Sequence, residues 1–152
     1  MFKPLNLPPA ELKLSRKEGQ VFVWCIIRKK TLVLTPEEWV RQHIIHFLIK
    51  TKTIPQGLIA AEMAITVNDM VRRCDVVVFG NDGKPKLIVE CKAPEINLTE
   101  NVFHQIAQYN FTLNVDNLMV TNGLEHVVCK IDRDNNELIF LELLPEWSDI
   151  NV

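Results

Sequence analysis

The chain has 152 residues, 47% of them apolar and 24% charged, with a formal net charge of −2. That balance excludes a disordered chain and suits one domain with its own core. No apolar run approaches the roughly 18 to 20 residues that cross a bilayer. Met1 to Pro9 hold one lysine and three prolines with no apolar stretch, so no secretory signal is read there and a cytoplasmic location is expected. The four cysteines (Cys25, Cys74, Cys91, Cys129) are scattered without C-x-x-C pairing and read as buried thiols. The slightly acidic charge implies that the chain alone holds DNA weakly and with marked salt sensitivity. Arg28-Lys29-Lys30, Lys50 with Lys52, and Arg72-Arg73 are local basic groups, of a kind more often solvated surface than groove.

Residues 1–20 mix prolines with charge and read as an extended arm. Val21 to Ile27 and Thr31 to Thr35 suit two strands joined through Arg28-Lys29-Lys30. The period then changes: Thr35-Pro36-Glu37-Glu38 is a helix start with Thr as N-cap, proline at the first helical position and glutamate three residues after the cap. Val40, Ile44, Phe47 and Leu48 follow at helical spacing. Leu58 to Val67 reads as a strand, although Ala60, Ala61, Glu62 and Met63 are good helix formers. Next comes a hairpin, Cys74 to Phe79 and Lys86 to Lys92, and Pro94 ends its second strand. Thr99 caps another helix whose apolar stripe is Val102, Phe103, Ile106 and Ala107. Leu118 to Thr121, Val127 to Ile131 and Leu138 to Leu144 complete the strands. Helix, three strands, helix and strand, with strand pairs at both ends, predict a mixed α/β architecture: a central mixed sheet with helices packed against it.

Asp82-Gly83 is a strong turn signal between the hairpin strands. A hairpin symmetric about it sets Asp75 opposite Glu90, with Cβ atoms roughly 4.5 to 5.5 Å apart, a repulsive pairing that a cation between them would relieve. Lys92 points to the same face as Glu90, about 6 to 7 Å further along the strand. Two converging carboxylates suit a hard, oxygen-seeking cation, Mg²⁺ or Mn²⁺, which can polarise a phosphoryl oxygen and lower the pKa of a bound water. Lys92 could stabilise developing charge or act on the water.

These residues resemble a known family. Asp75, a hairpin, and Glu90-Cys91-Lys92 are similar to the D…(D/E)-x-K signature of the PD-(D/E)xK nuclease superfamily, with Cys74 where a proline frequently precedes the aspartate. Gln105 and Tyr109, at i and i+4, match a Q-x-x-x-Y extension. Thr35 to Gln42, Val89 to Pro94 and Val120 to Gly123 look like the N-terminal nuclease domain of type I restriction enzyme R subunits, over roughly Phe22 to Ile131. The resemblance implies a restriction-endonuclease-like fold with its catalytic core at 35–121, and a metal-dependent endodeoxyribonuclease. It implies Asp75, Glu90 and the Cys91 carbonyl as metal ligands, Lys92 on the attacking water, and Gln105 and Tyr109 supporting DNA or the site. DNA, helicase or translocase subunits and specificity subunits would be partners. No G-x-x-x-x-G-K-[ST] phosphate loop is present, so translocation would need another protein.

Blander readings stand beside these. Glu38 could be a further metal-side glutamate, yet the capping box accounts for it. Glu62 could sit near the site but reads rather as a surface or strand-edge acid, and His43 and His46, although spaced i, i+3 as metal-binding helical histidines can be, read as helix-surface histidines. Trp24, Trp39 and Trp147 read as core or packing residues, with base stacking an alternative that the sequence does not support. Arg72 and Arg73, just before Asp75, could contact DNA phosphates or merely balance the local acids. The alternative to a nuclease is a nuclease-fold module that binds DNA or partner subunits and cuts little; a purely structural domain is a third reading.

Overall fold

Two successive residues with positive φ, Glu18 (51°) and Gly19 (78°), reverse the chain between β1 (Leu14–Lys17) and β2 (Gln20–Cys25). Left-handed conformations at both central positions of a two-residue loop match the twist of antiparallel strands. In this computed structural model, which describes residues 2–67 and 69–152 apart from the side chains of Val67, Tyr109, Asn110 and Thr112, the expected arm is therefore shorter than residues 1–20. Pairing with β2 makes a strand of Leu14–Lys17 despite its polar composition. β3 (Lys30–Val33) adds antiparallel to β2, giving a three-stranded sheet.

Thr35 caps α1 (Pro36–Lys50) by accepting the Glu38 N–H at 3.1 Å. A short 3₁₀ turn at Gln56–Leu58 leads to β4 (Ile59–Val67), β5 (Met70–Phe79) and β6 (Pro85–Cys91). Thr99 caps α2 (Glu100–Leu113), which crosses to β7 (Asn117–Thr121). β8 (His126–Asp132), β9 (Glu137–Leu141) and the short α3 (Trp147–Ile150), which the sequence reading did not include, complete the chain. The large sheet runs β4-β5-β6-β7-β8-β9, with only β6 and β7 parallel. A parallel pair needs a crossover, and α2 is that crossover.

The sheet is covered on both faces. Val40, Ile44, Ile45 and Leu48 of α1 pack on Val76, Val78, Leu87 and Val89. Phe103, Ile106 and Ala107 of α2 pack with Val77, Ile88, Leu118 and Val120 on the other side. Residues 87–89 of β6 and 118–120 of β7, in strands buried almost throughout, are continuous apolar runs because helices take both faces. All four cysteines are free and buried. Trp39 stacks on Phe2 and Trp147 packs against the α1-side core, but Trp24 is 38% exposed, against the packing role expected for it. His43, expected on the helix surface, is buried with Nδ1 2.9 Å from the Trp39 carbonyl, because α1 also packs beneath the N-terminal arm through Trp39. Among the described residues no helix is long and apolar enough to cross a membrane.

Candidate active site

The hairpin follows the expected register from Val78↔Leu87 to Val76↔Val89 and stops one rung short of the two acids. Where the ladder ends, the Asp75 carboxylate takes over: its Oδ2 accepts the Cys91 N–H at 2.8 Å. On the other side of β5, pairing with β4 continues above and below Glu62 and Asp75 in one register, from Ala61↔Val76 to Met63↔Cys74, but skips that rung. Glu62 has φ +53°, in the left-handed region that a glutamate seldom adopts. The irregularity switches faces. Ile59 and Ala61 pack with α1 and Ile65 with α2; likewise Val76 packs with α1 and Cys74 with α2. Strict alternation would keep each of these pairs on one face. The broken rung frees Asp75 to turn toward α1.

There it meets Arg41, whose side chain is only 6% exposed. Arg41 Nη2 lies 3.2 Å from Asp75 Oδ1, 3.0 Å from Glu62 Oε1 and 3.5 Å from Glu37 Oε2, while Nη1 donates to Glu38 Oε1 at 2.7 Å. Burial works against its charge, but Glu38 and then Asp75 outweigh it and push the Arg41 pKa above its ordinary value. Burial, followed by the Asp75 charge, raises the Glu37 carboxyl. The cap at Thr35 uses the Glu38 backbone N–H, while the buried Glu38 carboxylate is engaged by Arg28 (2.7 Å), Arg41 (2.7 Å) and Gln42 (3.1 Å). Glu62 is likewise no loose edge acid, since Arg41 and Arg73 (2.9 Å) both hold it.

Glu90 is 8% exposed and pairs with Arg72 at 2.6 Å. Burial first, and then the Asp75 charge, push its carboxyl up to about 8, against the pull of Arg72 and Lys92. A like charge that close favours the protonated form of Glu90, and a bound cation would lower its proton affinity again. The Lys92 ammonium is near enough for its charge to act on both Glu90 and Glu37, and the Lys92 backbone N–H is fixed to the Thr121 carbonyl of β7 at 2.8 Å. The Cys91 thiol is fully buried; burial, then Asp75, raise its pKa, which leaves its backbone rather than its sulfur as a donor. Gln105 lies exposed on α2 in a shallow hollow with His104, Gln108, Phe111 and Leu138. No hydrogen bond joins it to Asp75 or Glu90 among the described residues, and the Tyr109 side chain lies outside them. Arg72 and Arg73 both point at carboxylates, Glu90 and Glu62.

The donors Asp75, Glu90 and the Cys91 carbonyl are all hard oxygens, and the acid pair raises the Glu90 proton affinity as a site short of positive charge does; chemically they fit Mg²⁺ or Mn²⁺. Among the described residues no three His, Cys, Asp or Glu side chains already converge in a metal-binding group; Arg41 and Arg72 stand among the acids. Arg41 is the residue that sequence reasoning missed. Its signal was present: position 41 shares a helical stripe with Ile45 and Leu48, where a charge must be buried with a partner.

The family model described as type I restriction enzyme R protein N terminus (HSDR_N) matches residues 36–145, well over half of the chain. No curated protein matches it significantly.

Proposed function

Given that the chain belongs to the family of type I restriction enzyme R protein N-terminal domains, we propose that it is a Mg²⁺- or Mn²⁺-dependent endodeoxyribonuclease domain of the PD-(D/E)xK kind. The observation that carries this reading is the convergence of Asp75 and Glu90 beside a broken strand rung inside the matched segment. Asp75, Glu90 and the Cys91 carbonyl would hold the cation. When bound, it supplies a polarised phosphoryl oxygen and a water of lowered pKa. Lys92 orients the attacking water and offsets the negative charge that develops on the phosphoryl group. Gln105 and Tyr109 steady the DNA backbone, and Arg72 and Arg73 meet phosphates once the acids they hold turn to the cation. On this reading the domain works in the cytoplasm with DNA and with translocase and specificity subunits of a restriction complex.

A second reading has its own support. Arg41 and Arg72 neutralise the acids internally, which suits a nuclease-fold module that docks on DNA or a partner subunit and cuts little alone. Incubating the purified protein with plasmid and single-stranded DNA, with Mg²⁺ or Mn²⁺ at low salt, separates the two. Nicking that requires the cation and falls about 10²-fold or more in Lys92→Ala supports the nuclease. Absence of both cleavage and calorimetric cation binding favours the module.

A further inference from the structure

The net charge of −2 hides a division along the chain. Residues 1–34 carry seven Lys/Arg against two Asp/Glu, a net charge of +5, whereas residues 35–152 carry ten against seventeen, a net charge of −7. The basic portion is the arm and the three-stranded sheet, all of it ahead of the family match. Val23 and Cys25 of β2 are fully buried, so alternation puts Phe22 and Trp24 on the outer face. The register builds that face row by row. Trp24 pairs with Thr31, and its N–H donates to the Lys13 carbonyl at 3.0 Å; Phe22 lies between Ser15 and Val33; Lys17 sits opposite Gln20.

Trp24 is 38% and Val33 45% exposed, and Lys13, Lys17 and Thr31 are exposed around them. An indole face bordered by lysines on a sheet is a stacking platform with phosphate contacts at its edge, the arrangement that grips an unpaired nucleic-acid strand. The sheet also adjoins the candidate active site. Arg28, from the β2–β3 turn, binds Glu38, which shares Arg41 with Asp75.

We infer that the outer face of β1–β2–β3 binds an unpaired stretch of DNA, with a base stacked on Trp24 and phosphates on Lys13 and Lys17. The choice of DNA rests on the nuclease reading above; the surface itself rests on the sheet register and the charge division. Lys17 ends β1 and Lys13 immediately precedes it, so four residues of extended chain put them about 13 Å apart, far enough to hold separate phosphates.

The test is fluorescence anisotropy of a labelled oligothymidylate of about 12 nucleotides, titrated at several salt concentrations with chelator present so that nothing is cut. Trp24→Leu is expected to weaken binding roughly tenfold, whereas Trp24→Phe, which keeps a stacking ring, retains most of it. The double variant Lys13→Gln/Lys17→Gln, wholly on the surface, should bind more weakly and lower the slope of log affinity against log salt by about 1.4. Unchanged affinity in the Trp24→Leu and double-lysine variants overturns the inference. So does a wild type that binds no oligothymidylate, which would leave the face for a protein partner. Binding that depends on these residues in a protein that never cuts DNA upholds the inference and removes the nuclease reading instead.

Discussion

Arg41 shows how much one side chain can hold together. Its guanidinium touches four carboxylates from three elements: Glu37 and Glu38 on α1, Glu62 on β4 and Asp75 on β5. Such a contact set suits a planar fork with several donors and would be poorly served by the point charge of lysine. Removing one partner from a buried ion cluster leaves the others desolvated and unpaired. Arg41→Met should therefore lower the free energy of unfolding by about 3 to 5 kcal/mol, with Arg41→Lys intermediate, as read from denaturant midpoints. If Arg41→Met melts like the wild type, solvent rather than Arg41 balances these acids. The prediction concerns stability and holds whether or not the protein cuts DNA.

At the scale of elements, the site arises from a fault in the sheet. Uniform β4 and β5 would direct Asp75 and Glu62 by simple alternation; the skipped rung and the +53° φ of Glu62 turn both toward α1. Left-handed backbone costs a non-glycine residue roughly 1 to 2 kcal/mol, least for Asn and more for β-branched side chains. Glu62→Asn and Glu62→Val both delete the carboxylate, so the lost ion pairs cancel between them and the difference reports the backbone. Glu62→Val should be less stable than Glu62→Asn by about 1 to 2 kcal/mol; equal stabilities would mean that Glu62 does not hold the left-handed conformation. This fault also marks how far the sequence could be read. Asp82-Gly83 and the flanking β-branched runs announced the hairpin and its register correctly through Val76↔Val89. The fault leaves no comparable signal, because a left-handed Glu62 is imposed by the surrounding strands and by Arg41 rather than by any local preference. The ion pairs of Glu38 were illegible for a related reason: the capping pattern is local, while the arginines that take its carboxylate come from the β2–β3 turn and from a later turn of α1.

Across the whole molecule, the N-terminal segment is fastened to the matched core rather than trailing from it. Phe2 stacks on Trp39, the Trp39 indole N–H donates to the Lys3 carbonyl at 2.8 Å, and Asn6 N–H donates to the Gly123 carbonyl at 2.8 Å. His126 Nε2 donates to the Asn6 carbonyl at 2.8 Å, while its Nδ1 meets Thr121 Oγ1 at the end of β7. None of these contacts was legible in the arm's own composition, since their partners lie some forty to one hundred and twenty residues away. Asn122-Gly123 was legible as a turn, but its second purpose was not. Gly123 has φ +85°, and a Cβ there would stand 2.7 Å from Leu5 Cδ2. Gly123→Ala should thus destabilise in two separable ways, by backbone strain of about 1 kcal/mol or more and by pushing Leu5 out of its seat. Leu5→Ala removes the second without touching the first. In a double-mutant cycle, Leu5→Ala should recover part of the Gly123→Ala loss, giving a coupling of at least about 0.5 kcal/mol. Strict additivity would mean that the arm does not rest on Gly123 in solution, and the basic sheet that follows it would then be held by its packing on the core, the Arg28–Glu38 pair and the Gln56 hydrogen bond to the Ile26 carbonyl instead.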